Sequence, residues 1–75
     1  MQRYKNLNGE SGVVAYDIGA NSITVQFRGG DCYLYTFDRA GAANIAEMQR
    51  LARAGRGLCT FISQVIRNQY ERKLD

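Results

Sequence analysis

Polar and apolar residues alternate without a break from Ser22 to Arg28. Ile23, Val25 and Phe27 point one way, and Ser22, Thr24, Gln26 and Arg28 the other. A period of two is the mark of a strand with one buried face. Ahead of it, GVVAYD is apolar and rich in strand formers, with Val14 and Tyr16 on one face and Val13 and Ala15 on the other. The intervening IGAN is turn chemistry. Behind it, Gly29-Gly30 marks a hairpin and DCYLYTF supplies a third strand. The spacing then becomes helical. Ile45, Met48, Leu51 and Ala52 share one face of a helix from about Gly41 to Ala54, with Asp38 as its N-cap and Gly55 as its left-handed stop. Leu58, Phe61, Ile62, Val65, Ile66 and Tyr70 follow at intervals of three and four, which predicts a second helix with Arg67, Arg72 and Lys73 in its last turns.

Strands followed by helices predict an α+β domain: a three-stranded antiparallel β-meander with two C-terminal helices packed on one face and water on the other. Seventy-five residues suffice for one domain. A chain this short has little core to spare, so every amphipathic segment must contribute to it. The polar, aperiodic stretch 1–11 reads as a flexible N-terminal arm, with Tyr4 and Leu7 as the side chains that would dock, and 12–75 as the folded unit.

The side taken by Tyr33 and Tyr35 depends on hairpin register, because a slip of one residue turns every side chain over. A loop of Gly29-Gly30 alone pairs Phe27 with Cys32 and leaves both tyrosines on the polar face. A loop of Arg28 to Gly30, with Gly30 left-handed, sets Phe27 opposite Asp31, Val25 opposite Tyr33 and Ile23 opposite Tyr35. The second register segregates apolar from polar groups better, and in it the phenol oxygens reach the rim of the sheet. In the first, the rings form an exposed platform.

Charge changes the picture in one respect. The formal net charge is only +3, but residues 50–75 hold six cations and two acids, whereas residues 1–49 hold four cations and five acids. Arg50, Arg53, Arg56, Arg67, Arg72 and Lys73 are therefore a candidate electrostatic footprint for phosphates. The bland alternative is a solvated helix face with Glu47 pairing Arg50. The chain has no histidine, which removes the commonest general base and the commonest metal ligand. Cys32 and Cys59 are far apart, with no CxxC, and read as reduced, largely buried fillers. Cys59 at a helix start could be activated by backbone N–H groups, and GRGLCT weakly resembles an anion-binding loop; a small buried residue and a connecting turn explain them better. No apolar run is long enough to span a membrane and no signal-peptide pattern is present, so the reading is a cytoplasmic protein without a cofactor.

The stretch AYDIGANSITVQFRGGDCYLYTF, followed by GRGLCTFISQVIRNQY, resembles the KTSC domain, a small family named for the C-terminus of some lysyl-tRNA synthetases and also found as stand-alone bacterial proteins. Its central Tyr-x-Tyr is matched by Tyr33-Leu34-Tyr35. Tyr16-Asp17, the Ile23/Val25/Phe27 row, Gly30 and the closing Phe61 to Tyr70 also fit. The likeness spans residues 12–70. The chain departs from the commoner form in a longer helical stretch around EMQRLARAGRG and in carrying Cys59 where the family has asparagine. The resemblance implies RNA binding, from the synthetase context, and brings no catalytic residues.

Two expectations follow. The first is a non-enzymatic RNA-binding module, with the six cations on phosphates and Tyr33 and Tyr35 stacking or hydrogen-bonding at the rim. The second is a protein-interaction module, a homodimer or a partner complex through the GVVAY edge or the open sheet face.

Overall fold

The computed structural model describes residues 1–7 and 12–74. It is an α+β fold in which an antiparallel sheet carries helices on one face. The sheet has five strands in sequential order: β1 (Gln2–Arg3), β2 (Val13–Ile18), β3 (Ser22–Phe27), β4 (Cys32–Thr36) and β5 (Arg72–Lys73). Between β4 and β5 lie α1 (Phe37–Ala40), α2 (Ala42–Ala54), α3 (Leu58–Phe61) and a π-helical turn, Ile62–Ile66.

The β3–β4 hairpin adopts the three-residue loop. Val25 pairs with Tyr33 and Ile23 with Tyr35, and the Phe27 N–H donates to the Asp31 carbonyl at 2.8 Å. Both Gly29 and Gly30 have positive φ (98° and 102°), a conformation open to glycine at no steric cost. The tyrosines thus join the apolar face, where Tyr35 is 2% exposed. A stacking platform on the open side of the sheet is ruled out by this register.

Five features differ from the sequence reading. The meander has five strands because both ends of the chain return to it: β1 pairs with Tyr16 and Ala15 of β2, and β5 with Tyr33 and Leu34 of β4. The expected arm is therefore sheet over Gln2–Arg3, and Tyr4 is buried, its hydroxyl accepting the Leu58 N–H at 3.3 Å; the part of the arm at 8–11 lies outside the described residues. A β-bulge between Val13 and Ala15 resets the β2 alternation. Val13 and Tyr16 consequently share the core face, and Val14 is exposed. Asp38 does not cap the long helix; it sits in the first turn of α1, and Gly41 precedes α2.

The last difference is the largest. The second long helix, expected through Tyr70, stops at Ile66. The Arg67 N–H closes on the Ile62 carbonyl at 2.5 Å, five residues back, and Arg67 itself takes φ 55°, ψ −116°. The chain then turns toward β4: the Glu71 N–H donates to the Leu34 carbonyl and the Leu74 N–H to the Cys32 carbonyl. Arg72 and Lys73 are strand residues, not helix-end cations, and Val65 is exposed.

The core lies between the sheet and the helical layer. Val13, Tyr16, Ile23, Val25 and Tyr35 meet Ile45, Met48 and Ala52 of α2, then Leu58, Ile62 and Ile66. Burial of such side chains contributes roughly 1.5–3 kcal/mol each relative to exposure. No helix among the described residues is long and apolar enough to cross a membrane.

Candidate nucleic-acid interface

All six cations singled out by the sequence are exposed, as long charged side chains usually are. They do not form one row. Arg50, Arg53 and Arg56 belong to the C-terminal end of α2 and the turn after it. Arg50 forms a two-pronged pair with Glu47, at 2.6 and 2.9 Å. Hydrogen bonding from Arg50 holds the Glu47 carboxyl below its ordinary value, and the same bond pushes the Arg50 guanidinium up. Arg50 and Arg56 nevertheless share a shallow cleft of about 470 Å³, floored by Leu51, Ala54 and Gly57.

Arg67 lies elsewhere, on a second cleft of about 340 Å³. Phe27, Tyr33 and Tyr35 line it from the sheet, and Ile62 and Tyr70 from the C-terminal segment; Arg67, Asn68 and Asp31 add its polar groups. The rings form a connected cluster. Phe27 and Tyr33 meet edge to face at 5.8 Å, Tyr33 and Tyr70 are 4.7 Å apart and tilted, and Tyr35 and Tyr70 meet edge to face at 6.3 Å. Such offset and edge contacts suit the ring quadrupoles. Tyr33 and Tyr70 are half-buried, so their rings border the cleft, whereas Tyr35 forms its floor. Burial first, then the neighbouring Tyr33, Tyr70 and Cys59, push the Tyr35 phenol up to about 12.

Lys73 lies in β5 opposite Tyr33, 3.4 Å from the Asp31 carboxylate. Arg72, opposite Leu34, belongs to the other face of the sheet. Among the described residues no carboxylate pairs with Arg53, Arg56, Arg67 or Arg72. The cysteines are free and half-buried. No three His, Cys, Asp or Glu side chains come together as a metal site requires, again among the described residues.

Sequence reasoning found Tyr33, Tyr35 and Arg67 but missed Tyr70, Phe27, Asn68 and Asp31 as parts of one cleft. Tyr70 follows Ile66 by four residues, the spacing of a continuing helix, so the pattern held no signal that it would fold back onto the sheet. Compared with protein-family models, curated proteins and solved structures, the chain matches none.

Proposed function

We propose that this protein is a small non-enzymatic module that binds single-stranded RNA in the cytoplasm. The observation that carries the reading is that four of the exposed arginines, Arg53, Arg56, Arg67 and Arg72, all in the basic C-terminal third, have no carboxylate partner among the described residues. A guanidinium presents a rigid fork of donors that matches a phosphate, and exposed cations with no internal partner are available to one. Phosphate contacts supply the affinity, and aromatic groups beside them supply stacking, the usual division in single-strand binders. The resemblance to the KTSC domain supports the same reading.

The test is titration of a short labelled oligoribonucleotide at several salt concentrations. Each neutralised phosphate releases counterions, so the log–log slope counts the contacts made, at about −0.7 for each. Replacing Arg50, Arg53 and Arg56 together by glutamate should weaken binding sharply. Affinity that is absent, or indifferent to salt, counts against the proposal.

A second reading, a protein-interaction module, rests on the sheet face that no helix covers. The GVVAY edge no longer favours it, since β1 pairs along β2. The exposed edges are now β1 and β5, two residues each, bearing Arg3, Arg72 and Lys73, and short charged edges discourage strand addition. Sedimentation at several concentrations decides whether the open face self-associates.

A further inference from the structure

We infer that the cleft bordered by the Tyr33 and Tyr70 rings receives one unpaired nucleobase of the bound strand, with Arg67 holding the adjoining phosphate. This rests on the RNA-binding reading and assigns it a second, chemically different site. Three observations combine. The cleft of about 340 Å³ falls at the lower end of the range for small-molecule pockets, roughly 300–1,000 Å³, and its walls are mainly aromatic and apolar with few polar groups, the usual make-up of such sites. Its polar groups suit a base and its backbone. The Asn68 amide offers a donor and an acceptor side by side, the arrangement that reads base edges. Arg67 brings a positive charge with no carboxylate partner among the described residues.

The third observation is backbone geometry. Arg67 is not glycine, yet its φ is 55° with ψ −116°, a sparsely populated, strained region for a residue with a Cβ. The strained residue is the one that ends the π-helical turn, and after it the chain returns Tyr70 to the aromatic cluster. The geometry therefore places a guanidinium and three phenol rings around one opening. Charge at the opening also favours an anionic strand: Arg67 lines it, and Asp31, the one carboxylate on its lining, is paired by Lys73 from β5. The rings lie on the helix-covered side of the sheet, so a base enters from the end of the sandwich at the β3–β4 loop rather than lying across the open face.

The experiment compares a short single-stranded oligoribonucleotide with an abasic strand of equal length, both titrated into the full chain while backbone amide shifts are followed. Base-bearing RNA should bind roughly 5- to 150-fold more tightly than the abasic strand, the range expected for one stacked base. Its shifts should centre on Tyr33, Asn68 and Tyr70. Tyr70→Leu should remove that advantage; because Tyr70 packs on two other rings, Asn68→Ala, at an exposed position, is the companion variant and should reduce the advantage without changing binding of the abasic strand. Equal, salt-sensitive binding of both strands, or shifts confined to the end of α2, overturns the base pocket and leaves phosphate binding intact. Failure of both strands to bind overturns the pocket and the RNA reading together.

Discussion

The two helical segments that roof the sheet end in opposite ways. α2 stops at Gly55, which adopts φ 81°, ψ 21° and donates its N–H back to Leu51 and Ala52. This is the left-handed stop that a residue without Cβ takes without strain. The segment from Leu58 stops at Arg67, which has a Cβ and pays for a positive φ. α2 closes because its local sequence says so. The later segment closes because tertiary demands override it: Tyr70 must reach Tyr33 and Tyr35, and Arg72 and Lys73 must reach β4. The contrast teaches that a stop unsupported by local chemistry points to what lies beyond it, here the aromatic cleft.

The largest effects should come from the inner faces, where both segments are equally committed. Met48 in α2 and Ile66 in the π-helical turn are fully buried. Truncating either to alanine should cost about 2–5 kcal/mol in urea denaturation. A much smaller loss for Ile66→Ala would mean that the C-terminal segment is only loosely docked, which would sink the comparison.

The stops themselves come next. Gly55→Ala imposes a left-handed alanine, roughly 1–2 kcal/mol, and its Cβ would stand 2.6 Å from Lys5 Cβ, so the loss should exceed that figure. Arg67→Gly should act the other way. It relieves the strained φ and should raise stability by about 1 kcal/mol, part of the gain being offset by the extra freedom glycine gives the unfolded chain. RNA affinity should fall in the same variant. Stability and binding moving together at Arg67 would contradict the idea that strain there serves the cleft.

The smallest effect at neutral pH concerns Tyr35, the ring on which Tyr70 rests. Its phenol is raised to about 12 from 10.0, so the folded chain keeps a proton that the unfolded chain gives up. The associated stability is complete below the unfolded value and is lost as pH rises from there through the folded one. Tyr35→Phe should leave neutral stability nearly unchanged and move alkaline unfolding to higher pH. Phenolate absorbance should show Tyr35 ionising late. Tyr4 should also be late, because burial raises it more than the Leu58 hydrogen bond lowers it.

The alternation of Ile23, Val25 and Phe27, the paired glycines after them, and the spacing of Ile45, Met48 and Ala52 each encode local geometry, so three central strands and α2 were legible without coordinates. The hairpin register was only favoured by the sequence, since one of two possible loop lengths kept the large apolar groups on a single face; the pairing of Val25 with Tyr33 decided it. The candidate site was legible in part: its cations and Tyr-x-Tyr rings are conspicuous, but their grouping into two clefts is not. β1 and β5 span two residues each, too short to carry a period, and exist only because an existing strand offers them partners. The bulge at Val13–Ala15 and the early stop at Ile66 likewise reverse a local pattern to satisfy packing on the far side of the chain. Sequence by itself determined the layers, since periodicity is a local property of adjacent residues. Tertiary structure alone decided where the ends return and which rings meet Arg67, since those contacts join residues remote in the chain and are set by which free edges and apolar surfaces the completed layers leave.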